Sequence, residues 1–234
     1  MSGRCRVLAV LLIALMPAIA APIIAGTAKS PGKTILDKKG HLWIEQLPDG
    51  SKRVGIQSEV CLREGPLELL LCKAGTKEHE SILTADVDAR LIHAALLSIG
   101  AKAGSPVQYQ PKYVPARGST VKVTVEYQED GRTVRRSAKE WIRNSKTMKD
   151  LDVDWVFGGS QLINDPDDPN KVPFYAANNG DVICVANFPD AMLDLPITSS
   201  REDAERSFEA TTDRIPPKGT KVVVYLEVVP GRNR

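Results

Sequence analysis

Short segments with alternating apolar residues, separated by turn residues, make up most of this chain. In the clearest one, apolar side chains alternate with polar ones from Val121 to Tyr127, and Asp130-Gly131 then turns the chain into residues 132–136. A repeat of two residues is typical of a strand with one buried face, and Asp-Gly favours the turn of a hairpin. The sequence therefore predicts a fold built mainly from strands.

One segment has the apolar spacing of an α-helix. Asp86 is a suitable N-cap and Gly100 a suitable C-terminal stop, and the apolar residues between them recur every three or four positions. A short polar helix is also predicted at 201–209. The apolar residues of the first helix, which we expect in the core, are Val87, Leu91, Ile92, Ala95, Leu96 and Ile99.

Further strands are expected at 41–46, 51–62, 67–72, 153–163, 174–177, 181–188 and 221–229. Because strands outnumber helices and are not interleaved with them, a doubly wound fold is excluded. The predicted class is α+β: a mostly antiparallel, curled β-sheet, barrel-like or sandwich-like, with one main packed helix. No linker or internal repeat divides the chain, so we expect a flexible leader at 21–40 and a single domain at 41–230.

Residues 1–20 have the pattern of a secretory signal peptide. Arg4 and Arg6 precede an apolar run at 7–16, and small residues follow up to Ala20. A short basic region, an apolar core and a small-residue exit are what the export machinery and its peptidase recognise. We expect cleavage after Ala20 and an exported, soluble protein, located in the periplasm or outside the cell.

Two alternatives apply to this N-terminal segment. Cleavage after Ala21 is the next choice. An uncleaved membrane anchor is the other, because the apolar stretch can extend through 23–25 towards the bilayer-spanning length of about 17 to 25 residues. Contact with a membrane is expected only if this segment is retained.

The charge balance argues against nucleic acid as a partner. The chain has 31 Lys and Arg against 29 Asp and Glu, and loss of Arg4 and Arg6 with the signal peptide leaves 29 of each. Proteins that bind nucleic acid usually carry a basic excess on one face, because phosphate neutralisation supplies most of the affinity. The expected partner is an unidentified envelope protein or a small ligand.

Three cysteines follow the signal peptide: Cys61, Cys72 and Cys184. An odd number excludes a framework in which every cysteine is paired within the chain. If 54–62 and 67–72 form a hairpin, Cys61 and Cys72 lie about 10 Å or more apart along the ladder, beyond the reach of a disulfide. A disulfide would therefore have to use Cys184, and buried free thiols are the alternative.

The densest group of reactive side chains is Lys77-Glu78-His79-Glu80-Ser81. It combines a possible base, two carboxylates, a hydroxyl and a cation, so His79, Glu80 and Ser81 are the candidate catalytic residues. In an extended strand His79 and Ser81 share one face, where neighbours rarely hydrogen-bond as a nucleophile and its base must. The favoured interpretation is a polar turn between a strand and the helix, in which His79 binds backbone groups.

Metal binding is a further possibility, with Cys72, His79, Glu80 and His93 as potential ligands. No two of them have the tight spacing of a zinc site, and His93 fits the boundary between the helix and the core. The acidic segment 165–170 is interrupted by prolines where a calcium loop needs alternating ligands, so it is expected to be a solvated turn. We expect neither a metal nor a cofactor.

A second candidate motif is Trp155-Val156-Phe157-Gly158-Gly159-Ser160. Its two aromatic residues lie on one side of a strand, and glycine within a strand often marks a bulge or a close backbone approach that a ligand could use. A buried core Trp and Phe followed by a bend is the favoured interpretation. The candidate ligand-binding residues of the chain are Lys77, His79, Glu80 and Trp155.

Five segments carry a resemblance to a known family. They are Gly65-Pro66-Leu67-Glu68, Lys77-Glu78-His79-Glu80-Ser81, Leu91-Ile92-His93-Ala94-Ala95-Leu96-Leu97 with Gly100, 155–160, and 175–183. Together they resemble the YdjY-like family of bacterial exported proteins over about residues 60–195. The resemblance implies export and a candidate site near His79, without a particular reaction. The chain lacks the run of cysteines that an iron–sulfur cluster needs.

Two hypotheses follow for function. The first is an exported binding domain of the bacterial envelope, with a pocket near His79, Glu80, Trp155 and the helix that begins at Asp86. The second is a hydrolase-like or metal-assisted enzyme that uses His79 as base or ligand and Glu80 as its orienting carboxylate. An enzyme requires a third polar group within about 3 Å of His79 or Glu80 in a concave pocket.

Overall fold

A computed structural model describes residues 32–198 and 207–231. Its helical segments are α1 (Ala89–Ser98) and two short 3-10 helices, Ala138–Trp141 and Ala176–Asn179. In chain order the strands are β1 (Lys33–Ile35), β2 (Leu42–Gln46), β3 (Lys52–Val60), β4 (Leu69–Lys73), β5 (Ser81–Ala85), β6 (Ala103–Ser105), β7 (Arg117–Gly118), β8 (Thr120–Glu129), β9 (Arg132–Ser137), β10 (Ile142–Asn144), β11 (Trp155–Phe157), β12 (Leu162–Ile163), β13 (Phe174–Tyr175), β14 (Ile183–Cys184), β15 (Leu193–Asp194), β16 (Phe208–Ala210) and β17 (Lys221–Val228).

Eight of these strands close into a barrel. Their order is β3-β17-β8-β11-β15-β14-β4-β5, and β5 pairs with β3 to complete the circle. Strands β1 and β2 extend the sheet from β3, β9 pairs with β8, and the other strands form two-stranded ribbons. The prediction of a curled, barrel-like sheet with one main helix is confirmed for the part of the chain that the structure describes.

The barrel contains both kinds of strand pairing. β4 and β5 run parallel, as do β14 and β15, whereas the other neighbours in the barrel are antiparallel. The segment 74–80 returns the chain from the end of β4 to the start of β5, so that these two consecutive strands point the same way. The sheet is therefore mixed.

The predicted hairpin between 54–62 and 67–72 is wrong, because β5 lies between β3 and β4. Thr84 of β5 is opposite Glu59 of β3 on one side and opposite Cys72 of β4 on the other. Turn residues predict a reversal of direction, but they do not reveal whether a later strand enters between two segments.

The hairpin predicted around Asp130-Gly131 is confirmed. Glu129 is opposite Arg132, and the two turn residues have positive φ angles of 49° and 73°. Positive φ at both central positions is the requirement that Asp-Gly satisfies in a tight hairpin turn.

Helix α1 begins later than expected. Its N-cap is Asp88 instead of Asp86, and the Asp88 side chain accepts a hydrogen bond from the backbone N–H of Arg90. Gly100, with φ of 95°, ends the helix as predicted. Leu91 was expected in the core but is 39% exposed, because the buried face of α1 consists of Ala89, Ile92, Ala95 and Leu96.

The described cysteines are free and buried. Cys61 and Cys72 flank β5 on opposite sides, where Cys61 donates through Sγ to the Ser81 carbonyl oxygen. The two thiols also interact with each other, which raises the pKa of Cys61 and lowers that of Cys72. The direct hairpin from which their separation was predicted is wrong, whereas free buried thiols agree with the second interpretation.

Several sequence-based predictions fall partly or wholly outside the described residues. The signal peptide at 1–20 is one of them, and the leader at 21–40 is described only from residue 32, with β1 pairing to β2. In the expected polar helix at 201–209, the described end is part of strand β16, which pairs with β10. Within 32–198 and 207–231, no helix has the length and hydropathy needed to cross a membrane.

Candidate functional site

The motif 77–81 forms a polar turn, but it connects two strands, β4 and β5, instead of a strand and the helix. Lys77 Nζ lies 2.9 Å from Asp181 Oδ1, which is buried. Burial raises the pKa of Asp181, although the nearby ammonium group opposes this effect. Glu78 accepts hydrogen bonds from the backbone N–H of Gly75 and from the Thr84 hydroxyl. These contacts fix the turn against neighbouring strands.

This turn places the three candidate catalytic residues in different surroundings. The His79 side chain is 77% exposed, and its Nε2 lies 3.8 Å from Glu80 Oε2. Ser81 is completely buried, and its Oγ donates to the carbonyl oxygen of Leu83. The structure therefore brings His79 and Glu80 together but does not pair His79 with Ser81 as base and nucleophile.

Trp155 is a core residue of the barrel. Its side chain is completely buried, and its indole Nε1 donates to the carbonyl oxygen of Cys184 at 2.8 Å. Phe157, two positions further along β11, is also completely buried. The indole ring has no surface that a ligand could reach in this conformation.

A cleft of about 480 Å³ lies between α1 and the segment that follows β11. The lining residues are Arg90, His93, Ala94, Leu97, Gly159, Ser160, Gln161, Leu162 and Tyr175. Its volume is within the range of about 300 to 1,000 Å³ that is common for small-molecule sites. Of the candidate residues considered from sequence, His93 and the Gly159-Ser160 end of the 155–160 motif contribute to it.

Glycine is required where the backbone passes under α1. Gly159 has a φ of 91°, and a Cβ there would lie 3.0 Å from the Cβ of Ala103 and 3.5 Å from Cε1 of His93. A side chain at this position would be strained by the backbone, would crowd Ala103 and would lie in van der Waals contact with the imidazole. The Gly-Gly step thus allows the close backbone approach that forms one wall of the cleft.

His93 and Tyr175 form the polar centre of the cleft. His93 Nδ1 is 2.8 Å from the Tyr175 hydroxyl oxygen, and the same hydroxyl donates to the Gly159 carbonyl oxygen at 2.8 Å. Burial lowers the pKa of His93, and the Gly159 carbonyl partly opposes this. The rings of Phe157 and Tyr175 pack edge-on against the imidazole.

Ser160 also lies at the cleft, in a left-handed conformation with φ of 57°. A non-glycine residue in this region costs on the order of 1 kcal/mol and persists only where surrounding contacts enforce it. Its Oγ donates to the carbonyl oxygen of Asp190 at 2.6 Å and accepts from the backbone N–H of Ala177 at 3.0 Å. Because its proton is already donated to a carbonyl group, this hydroxyl is not arranged as a nucleophile.

Arg90 supplies the cation at the cleft, and its charge is paired. Its Nη2 lies 2.7 Å from Oδ2 of Asp88, and this hydrogen bond, together with that of Asn178, holds the pKa of Asp88 well below its usual range. Leu97 and Leu162, which are 48% and 64% exposed, form apolar walls on either side of the opening.

Comparison with known proteins assigns the chain to a family. A family model described as the YdjY domain matches residues 49–227. The chain belongs to the YdjY family. Comparisons with curated proteins and with solved structures each returned no match.

The YdjY match is longer than the resemblance seen in the sequence, which stopped near residue 195. It covers all of the cleft residues and most of β17, a central strand of the barrel. The cleft is therefore part of the YdjY domain itself and not of a segment added to it.

Tyr175 completes the cleft of this YdjY domain but is not among the site residues that the sequence predicts. It lies 82 positions from His93, and no local spacing relates the two. His93 was interpreted as a boundary histidine, which describes its burial but not its hydrogen bond. Within 32–198 and 207–231, no three His, Cys, Asp or Glu side chains form a group that could hold a metal ion.

Proposed function

We propose that this YdjY domain binds a small, mainly apolar ligand in the cleft between α1 and the segment 159–162. The observation that carries the proposal is an apolar cleft of about 480 Å³ in which a single imidazole, that of His93, is held in one orientation by Tyr175. Small-molecule sites combine apolar walls with a few oriented polar groups in this way.

Leu97 and Leu162 supply apolar surface that is exposed unless something covers it. Burying such surface contributes about 25 cal/mol per Å², so a hydrocarbon group in the cleft gains affinity without a charged contact. The polar groups around it are already bonded within the protein, since Arg90 pairs with Asp88 and Ser160 with Asp190.

The alternative, a hydrolase-like or metal-assisted enzyme centred on His79 and Glu80, has less support. His79 is largely exposed, and Ser81 is buried and bonded to a carbonyl group. At the cleft, the hydroxyl of Ser160 donates to Asp190, so a base that would activate it meets no available proton. Ligand binding therefore explains the arrangement of side chains at the cleft without requiring an activated nucleophile.

The proposal includes a location in the bacterial envelope or outside the cell. It is supported by the signal-peptide pattern of residues 1–20. Sequencing the N-terminus of protein recovered from the exporting cell should find residue 21 first. Recovery from the cytosol with residue 1 or 2 at the N-terminus would contradict the proposed location.

Ligand binding can be tested with toluene as a probe. Titration of isotope-labelled protein should shift the methyl resonances of Leu97 and Leu162 and the imidazole resonances of His93. In the variant Leu97→Trp the indole should fill the cleft and abolish the shifts of Leu162 and His93, which remain as probes. Leu91→Trp is the matched control, because Leu91 is also exposed on α1 but does not line the cleft.

The proposal fails if toluene produces no shifts at the cleft up to its solubility limit. It also fails if the shifts are as large in Leu97→Trp as in the unmodified protein. Circular dichroism of both variants checks that the barrel is retained, so that loss of binding is assigned to the cleft.

A further inference from the structure

We infer that the ligand of this cleft is a neutral molecule that donates a hydrogen bond, from a hydroxyl or N–H group, to Nε2 of His93. The inference rests on the proposed binding function and defines the chemical class of the ligand. Three features of the cleft define this class: the hydrogen-bond order around His93, the charge at the cleft, and the apolar walls.

The Tyr175 hydroxyl sets the position of the proton on His93. The hydroxyl has one hydrogen, which it donates to the carbonyl oxygen of Gly159 at 2.8 Å. Its oxygen is therefore an acceptor towards Nδ1 of His93, also at 2.8 Å, and Nδ1 must carry the ring proton. In a neutral imidazole with a proton on Nδ1, Nε2 has a lone pair and accepts hydrogen bonds.

The opposite arrangement is less favourable. If Tyr175 donated to Nδ1, the carbonyl oxygen of Gly159 would lose this donor. A buried carbonyl group without its hydrogen bond keeps the full cost of its removal from water. The order Gly159, Tyr175, His93 thus fixes the tautomer, with Nε2 as the acceptor of a ring that lines the cleft.

The charge at the cleft favours a neutral ligand. Arg90 is the cation among the residues that line it, and two of its nitrogens, Nε and Nη2, lie 3.2 and 2.7 Å from oxygens of Asp88. Burial lowers the pKa of His93, so the imidazole is neutral near pH 7. An anionic group would therefore find no unpaired positive charge and would face the lone pair of Nε2.

The side chains that line the cleft determine the chemistry of the rest of the ligand. Leu97, Leu162 and Ala94 present hydrocarbon surface beside the imidazole. The ligand class that satisfies all three features is an apolar molecule with one hydroxyl or N–H donor, such as an aliphatic alcohol or a phenol.

Phenol, anisole and benzoate form a matched set of probes. They share a benzene ring, but only phenol is a neutral donor, anisole lacks the donor, and benzoate is anionic. A net hydrogen bond of about 0.5 to 1.5 kcal/mol predicts that phenol binds about 2- to 12-fold more tightly than anisole. Benzoate should bind most weakly. Only phenol should shift the Nε2 resonance of His93 in the direction of an accepted hydrogen bond.

A second measurement separates the hydrogen bond from general packing. In Tyr175→Phe, Nδ1 loses the hydroxyl that accepts from it, so the proton is held there less strongly and the preference for phenol over anisole should fall. The ratio is measured within one variant, so a change in overall stability does not affect it. Tyr113→Phe is the control, because its hydroxyl bonds to Asn187 and Tyr113 does not line the cleft.

The outcomes distinguish this inference from the proposed function. If none of the three probes binds, the proposed function fails and the inference fails with it. If anisole or benzoate binds as tightly as phenol, the binding function stands and the inferred ligand class is wrong. A phenol preference that is unchanged in Tyr175→Phe would also overturn the inference.

Discussion

The imidazole of His93 is joined to the backbone of Gly159 through one hydroxyl group, that of Tyr175. Nδ1 of His93 and the carbonyl oxygen of Gly159 are each 2.8 Å from this hydroxyl oxygen. One hydrogen bond thus connects helix α1 to β13, and the other connects β13 to the segment after β11. The geometry of the cleft depends on this hydroxyl.

Removal of the hydroxyl should destabilise the protein. In Tyr175→Phe, a buried carbonyl group and the imidazole both lose a partner, so the free energy of unfolding should fall by about 1 to 3 kcal/mol. Urea denaturation measures the change. A loss within experimental error would show that the hydroxyl does not connect the two segments.

Protonation of His93 should weaken the fold. Burial lowers the pKa of His93 in the native state, whereas the unfolded chain has a value near 6.5. The unfolded state therefore binds more protons, and stability falls as the pH drops through about 6.5 towards the lower native pKa. The stability difference between the unmodified protein and His93→Gln should shrink between pH 8 and pH 5. Urea denaturation at pH 8 and at pH 5 measures this difference in the free energy of unfolding. A difference that is the same at both pH values would contradict the prediction.

Asp194 should make the protein less stable as the pH rises, which is the opposite of the effect of His93. It is completely buried, and burial raises its pKa to about 7 from 3.8. The native state then binds the additional proton, so stability is fully present below about pH 4 and is lost as the pH rises through 7, by at most about 4 kcal/mol. Asp194→Asn cannot ionise and should gain in melting temperature relative to the unmodified protein between pH 5 and pH 8.

The matched control for this effect is Asp167→Asn, which changes an exposed carboxylate. Its melting temperature should follow that of the unmodified protein at both pH values. Equal pH profiles for Asp194→Asn and the unmodified protein would show that Asp194 is not protonated in the native state at pH 5.

Two glycine substitutions separate backbone strain from packing. Gly159 and Gly50 have φ angles of 91° and 85°, but a Cβ at Gly50 meets no atom within 4 Å. Gly50→Ala should therefore cost about 1 kcal/mol through strain alone. Gly159→Ala should cost more, because its Cβ would lie only 3.0 Å from the Cβ of Ala103. Thermal denaturation of both variants gives the difference, and equal losses would exclude the contact as its cause.

The contribution of the α1 N-cap to the free energy of unfolding should be measurable. Asp88 accepts from the backbone N–H of Arg90 and from Nδ2 of Asn178. Asp88→Ala should lower the free energy of unfolding by about 0.5 to 2 kcal/mol.

The Arg90 guanidinium holds the pKa of Asp88 below its usual 3.8. The contribution of the Asp88 carboxylate to stability is therefore present above pH 3.8 and is lost as the pH falls further. Asp88→Asn keeps the cap and should remove this acid dependence. Chemical denaturation from pH 6 to pH 2 follows both effects, and identical acid profiles for Asp88→Asn and the unmodified protein would contradict it.

Part of the candidate site could be predicted from the sequence. The helix that carries His93 and the Gly158-Gly159 step that passes beneath it were both identified from local patterns. Their meeting was not, because Tyr175 completes the arrangement from a segment 82 positions away from His93. Lys77 and Trp155 were equally conspicuous in the sequence, yet one pairs with Asp181 and the other fills the barrel core.

The sequence by itself determined the elements whose causes are local. Alternation from Val121 to Tyr127 and the Asp130-Gly131 turn are sufficient for the hairpin of β8 and β9, and Gly100 is sufficient to end α1. Only the tertiary structure decided that β5 enters between β3 and β4 and that the barrel closes there. Side-chain period and turn chemistry act over a few residues, whereas strand order depends on which distant segments bury the most surface together. The cleft is a product of that long-range packing.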